Sequence, residues 1–183
     1  VILVGGLKKA SLTDEILETV VKAMQEISLP YYLIFKSHPN EGKETFDLGR
    51  RRDILDGVST IDSPAKTDNL LGSVDISIHA AGATACIAAA YMRVPCIYFE
   101  NEKVRERMIE ATGSPDWFPA TSGACATATP ENLAEVIKKL LTKEGKEEQK
   151  KKQEEVYPIV KGERVEKKIV DFLESIAKEQ LES

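Results

Sequence analysis

Two histidines and one turn of small residues are where this chain gathers its chemistry. His38 stands in Ser37-His38-Pro39-Asn40-Glu41-Gly42, directly after the apolar run Tyr31–Lys36, and His79 closes the β-branched run Val74–His79. They are the only histidines in the 183 residues. After His79 comes Ala80-Ala81-Gly82-Ala83-Thr84, followed by an alanine-rich stretch that runs to Tyr91. A strand that stops at a small-residue turn and restarts as a helix leaves unpaired backbone N–H groups, with roughly half a positive charge, facing the turn. Such a terminus binds anions. A phosphate or pyrophosphate would rest on the N–H groups of Gly82, Ala83 and Thr84, with the Thr84 hydroxyl as a further donor. The glycines fit neither GxGxxG nor GxxxxGK[ST], so the standard dinucleotide and P-loop fingerprints are absent. The same small residues would also let a helix pack closely on a sheet, a purely structural use.

Other chemistries compete for these residues. His38, His79, Glu41 and Glu100 offer imidazole and carboxylate ligands suited to zinc or manganese in a hydrolase. No HExxH or similar spacing accompanies them. Ser37 and His38 are neighbours in sequence, which is not the geometry of a nucleophile and its base. A third class is a non-catalytic interaction module that keeps the fold without the chemistry.

The elements that must position the two histidines follow from periodicity. Val74–His79 and Pro95–Phe99 are apolar runs unbroken by charge, as buried parallel strands are, and the alanine-rich stretch between them is the crossover helix. Upstream, VILVGG is a first strand. Ser11 or Thr13 can cap a helix whose Ile16, Leu17, Val20, Val21 and Met24 share one face. Lys43–Leu55 reads as a polar helix carrying Arg50-Arg51-Arg52, Gly57–Ile61 as a short edge strand and Pro64–Leu71 as a small helix. Downstream come a charged helix to Ala111, the irregular loop GSPDWFPATSG, a weak strand at Ala124–Thr127, and a helix started by Thr129-Pro130-Glu131. Alternation of this kind predicts an α/β fold: a doubly wound, Rossmann-like, three-layer arrangement of about six parallel strands with helices on both faces. Ligands then bind beyond the carboxyl ends of the strands, where both histidines are expected.

Residues 1–142 are read as the ligand-binding domain. Residues 143–183 comprise a charged Lys, Glu and Gln segment, expected as an exposed helix or linker, and an amphipathic helix with Val165, Ile169, Phe172 and Ile176 on one face. That helix either belongs to the same domain or docks on another. The apolar run already under way at Val1, without Met, reads as a domain cut from a longer protein. The net charge of −5 argues against a general nucleic-acid binder. No run approaches the ~18 apolar residues of a membrane span. Cys86, Cys96 and Cys125 lack CxxC spacing, so they read as structural thiols in a reducing compartment rather than disulfides or zinc ligands, and the expected location is the cytoplasm.

His38-Pro39 after a strand, LLGSVDISIHAAGAT, and AAAYMRVPCIYFE together resemble the nucleotide-binding C-terminal domain of GT-B glycosyltransferases, related to the UDP-GlcNAc 2-epimerase superfamily. That family pattern has a strand ending in a small-residue, Gly-Thr loop, an alanine-rich helix, and a "GVP" turn, here Arg93-Val94-Pro95. The opening VGGLKK is similar to the family's first loop, so the resemblance covers most of the chain. It implies transfer of a sugar from a nucleotide diphosphate, a UDP-sugar being the expected donor, with no metal or cofactor. Gly82, Ala83 and Thr84 would hold the diphosphate, helped by Gly5, Gly6 and Lys8. His38 and Asn40 would lie near the base or ribose, His79 at the same rim, and Glu100 and Asn101 within reach of the sugar. Many members carry a glutamate three residues after the loop Thr that grips the ribose; here that place holds Ile87. The acceptor site and catalytic base would lie on an N-terminal domain outside this chain, so this chain is expected to bind donor without turnover. Any membrane contact would be peripheral and belong to the full-length protein. Nucleotide-sugar 2-epimerisation is the alternative on the same architecture.

Overall fold

The computed structural model describes residues 1–7, 10–36, 38, 53–55, 60–62, 66–159, 170 and 174. Lys8, Asn40, Glu41, most of the helix read over Lys43–Leu55, and the four apolar positions of the last amphipathic helix lie outside them. Among the described residues six strands, β1 (Ile2–Gly5), β2 (Leu33–Lys36), β3 (Thr60–Asp62), β4 (Ile76–Ala80), β5 (Cys96–Phe99) and β6 (Ala126–Ala128), form one sheet in the order β3-β2-β1-β4-β5-β6. Every neighbouring pair is parallel. This is the strand order of a doubly wound α/β fold.

Parallel neighbours need crossovers, and crossovers are right-handed. Helix α1 (Ala10–Ile27) carries the chain from β1 to β2, while α3 (Ala85–Met92) carries it from β4 to β5 in the opposite direction across the sheet. The two helices therefore lie on opposite faces. The central strand β4 is covered on both sides, and all five of its residues are buried, Ser77 and His79 among them. Helices α2 (Thr67–Leu71), α4 (Glu102–Thr112), α5 (Phe118–Thr121), α6 (Leu133–Leu141) and α7 (Lys143–Val156) complete the described elements.

Local details depart from the sequence reading. Helix α1 begins at Ala10, so neither Ser11 nor Thr13 is its cap. Thr13 instead lies buried inside the first turn, where its hydroxyl accepts the Leu7 N–H at 2.8 Å and closes the β1–α1 loop. The irregular loop after Ala111 contains α5, and His79 lies within β4 rather than beyond it.

The largest correction concerns the charged segment. Helix α7 is packed against α3 and α6, and its inward stripe is Gly145, Gln149 and Gln153. These residues recur at i, i+4 and i+8, which is helical spacing, but none is apolar, so the hydrophobic pattern does not reveal them. A Cβ on residue 145 would collide with the Lys139 carbonyl. Gln149 accepts the Cys96 N–H at 3.0 Å and donates to the Cys96 carbonyl at 2.7 Å. Strand β6 reaches only as far as Ile97 in its pairing with β5, so the Gln149 amide takes the place of a ladder partner at Cys96.

Replacing Gln149 by Ala leaves two buried backbone groups unpaired at ~1–3 kcal/mol each. The melting temperature should fall on the order of 10 °C, at ~2–4 °C per kcal/mol for this length. An unchanged melting curve in circular dichroism would refute this role.

Candidate functional site

A cleft of about 530 Å³ opens at the carboxyl ends of β1, β2 and β4 and at the start of α3. His38 and His79, far apart in sequence, both line it, as do Gly5, Gly6, Gly82, Ala83 and Thr84.

Gly5 makes the burial of His79 feasible. The register Val4↔Ile78 sets Gly5 beside His79, and a Cβ on residue 5 would collide with the imidazole Nδ1. His79 is 1% exposed, and its Nε2 is buried without a hydrogen-bond partner among the described residues. Burial lowers its pKa, a shift opposed by the neighbouring Cys96, so the ring is held neutral. A buried nitrogen left unpaired beside a cleft marks a position that a ligand's polar group or a water would satisfy. Gly6 donates its N–H to the Lys36 carbonyl at 2.7 Å, and a Cβ there would press within 3.2 Å of the His38 backbone nitrogen.

The turn after β4 reverses in two residues, Ala81 and Gly82, with φ of 49° and 72°. The left-handed conformation disfavours a side chain by ~1–2 kcal/mol, so Ala81 is strained where Gly82 is not. Tyr98, opposite His79 on β5, has its phenol pushed up to about 12 by burial and by the charge of Glu100, and it stays protonated. Intrahelical bonding begins with the Cys86 and Ile87 N–H groups, which donate to Ala83 and Thr84 carbonyls, and no side chain caps the helix. The Ala83, Thr84 and Ala85 amides are thus the positive end presented to the cleft. Thr84 is exposed, and Met108 and Trp117 stand against Gly82.

Three polar cleft residues escaped the sequence reading: Lys36, Thr67 and Arg107. Lys36 was visible as the charged end of an apolar run and pairs in register with Gly5. Arg107 arrives from α4 through tertiary packing, which no local pattern announces, and pairs with Glu110 at 3.1 Å. Glu100 and Asn101 do not line the cleft. The Glu100 carboxylate meets Arg105 at 3.3 Å. Asn101 caps α4 by accepting the Val104 N–H at 2.8 Å, and its amide donates to Glu15 at 2.9 Å, tying α4 to α1. Among the described residues, no three His, Asp or Glu side chains converge as a ligand set at the cleft. No helix among them is long and apolar enough to cross a membrane.

No family model matches the sequence, and no curated protein matches it. Among solved structures the chain is similar to MurG from Acinetobacter baumannii, with a TM-score of 0.53 and 17% sequence identity. The match covers 84% of this chain and 46% of that one, so this chain spans less than half of that protein's length. The likeness is one of fold alone, a Rossmann-like parallel sheet, and it is consistent with the fold that the sequence resemblance implies.

Two expected outcomes test the histidine's setting. The unfolded imidazole takes up a proton below about pH 6.5, while the buried one resists, so acidification through that value favours unfolding until the folded ring also titrates. Chemical denaturation from pH 7 towards pH 5 should show this loss, and His79→Gln should flatten it. Gly5→Ala should destabilise by ~1–3 kcal/mol through overpacking, and adding His79→Ala should recover much of that loss. Strictly additive effects would show that the two residues do not meet.

Proposed function

We propose that this chain is the donor-binding half of a GT-B-type glycosyltransferase and that it holds the diphosphate of a nucleotide-sugar, a UDP-sugar in the first instance, at the Gly82–Thr84 turn. The observation that carries the reading is a coincidence at one cleft. An uncapped helix start, an unpartnered buried imidazole nitrogen and a second histidine all border the point where the strand order reverses.

In this reading the Ala83 and Thr84 amides and the Thr84 hydroxyl donate to the diphosphate oxygens, and Lys36 and Arg107 add positive charge along the same wall. His79, held neutral, offers a hydrogen bond without adding charge. His38 borders the cleft where the base or ribose would lie; Asn40 and Lys8, which the resemblance assigns to the same ligand, lie outside the described residues. As the glycosidic bond to the donor phosphate breaks, negative charge builds on the leaving nucleoside diphosphate. Donors and a helix dipole already aimed at that position stabilise it without reorganising. The acceptor and its base would come from an N-terminal domain, so this chain binds donor and does not turn over alone. Asn101, engaged through both ends of its amide, suits fixing α4 beside the cleft better than gripping a sugar.

The alternative readings are a 2-epimerase-like domain on the same cleft and an interaction module. Ile87 favours the weaker-binding readings, because an aliphatic side chain accepts no hydrogen bond from ribose hydroxyls.

Thermal unfolding with UDP, CDP, GDP and their sugars, beside zinc and manganese, separates the classes. A ligand at ~100 times its Kd adds about 2.7 kcal/mol, or roughly 5–10 °C for this length. A shift with one nucleotide, lost in Gly82→Asp and reduced in the exposed Thr84→Val, is the expected result. A shift with metal alone, abolished by His38→Ala, would support the hydrolase, and no response to any of these the interaction module. Ile87→Glu should tighten nucleotide binding by roughly 10- to 150-fold, as one hydrogen bond to a charged acceptor is worth ~1.5–3 kcal/mol. Unchanged or weaker binding in that variant would place the ribose elsewhere.

A further inference from the structure

All three cysteines of the chain meet at one point inside it. Cys86 lies in the first turn of α3, Cys96 opens β5, and Cys125 immediately precedes β6. Their Sγ atoms all lie within 4.8 Å of one another, and the residues are 0%, 0% and 1% exposed. All three are free thiols.

We propose that Cys86, Cys96 and Cys125 form a three-sulfur site for a soft, thiophilic cation of the copper(I) or cadmium(II) class. Metal–thiolate bonds of ~2.3 Å around one ion place sulfurs about 4 Å apart, so the cluster needs to contract by less than ~1 Å at its widest. Sulfur-only ligation selects soft ions over magnesium or calcium. Among the described residues no carboxylate or imidazole joins the group. A three-coordinate ion therefore fits it better than zinc, whose structural sites are closed by four ligands. Each metal–sulfur bond displaces one thiol proton to solvent, three in all for full ligation.

The supporting shell is already in place. Gln149 clamps the Cys96 backbone from both sides, at 3.0 and 2.7 Å. The Cys125 N–H donates to the Pro119 carbonyl at 2.7 Å, and its thiol points to the Cys86 carbonyl at 3.9 Å. A surface cavity of about 540 Å³, bordered by Gly123, Gln149 and Glu148, reaches Cys125.

Cadmium titration of the reduced, metal-free chain, followed by near-ultraviolet thiolate-to-metal absorption and native mass spectrometry, tests the site. One ion per chain, with the absorption of three thiolates and a raised melting temperature that magnesium does not reproduce, is expected. Refolding in the presence of copper(I) should likewise retain one ion. Cys125→Ala, beside the cavity, should lose the three-thiolate signature. Should that variant fail to fold, the cadmium-113 resonance of the loaded, folded wild-type chain decides: its shift reports the number of bound sulfurs and should read three. A wild-type chain that retains no ion, binding unchanged in Cys125→Ala, or a mass lower by two hydrogens from a disulfide within the cluster would each overturn the proposal.

Discussion

The crossovers that leave β1 and β4 run in opposite directions across the sheet, and everything at the cleft depends on that divergence. Right-handed connection sends α1 to one face and α3 to the other, so neither covers the carboxyl ends of the two adjacent central strands. A hollow at that rim is a property of topology before any side chain is chosen. The sequence then decides what lines it. Glycine at residues 5 and 6 lets the first loop pass close to β2 and β4, and the space released beside β4 is filled by an imidazole.

Neutrality at His79 and positive charge around it divide the electrostatic work. Burial keeps the ring uncharged, so it adds polarity without a desolvated charge in the middle of the sheet. Cationic side chains sit further out, on β2 and α4, where solvent lowers the cost of their charge. The fixed partial charge of the α3 amides lies between these two zones. In the proposed reading, that layering suits a polyanion whose charge is concentrated at one end, as in a nucleoside diphosphate, better than a single buried carboxylate.

How much of this could be read in advance depends on what carried the signal. Val74–Glu100 was readable because buried parallel strands are unbroken apolar runs and the turn between strand and helix is composed of small residues. The convergence of His38 with His79 followed from each standing at a strand end. Helix α7 was opaque because its buried stripe is glycine and glutamine, chosen for close approach and backbone hydrogen bonds rather than for apolar area. The meeting of the three cysteines was hidden for a different reason, since a helix start, a strand start and a loop come together only through tertiary packing. Asn101 entered as a ligand group through the GT-B resemblance, which places that position near the sugar. Its amide is instead occupied by a helix cap and by α1, a use that its position after a strand does not distinguish from binding.

The C-terminal end of α3 explains why its other end is left open. Arg93 occupies the left-handed position just past the helix, with φ of 60°, where the GT-B pattern places glycine. A side chain there is disfavoured by ~1–2 kcal/mol. The guanidinium offsets this by donating to the Ala90, Gln153 and Tyr157 carbonyls at 2.6, 3.1 and 2.8 Å, satisfying the last carbonyls of α3 and α7 together. It also sets a positive charge against the negative ends of both helix dipoles. Gln153 completes the clamp by donating to the Val94 carbonyl at 2.9 Å. The polar helix that looked like a solvated tail is thus the brace that fixes α3 along its axis. A helix fixed in this way presents its first-turn amides as a rigid set, and a rigid set of donors binds an anion without first having to be ordered.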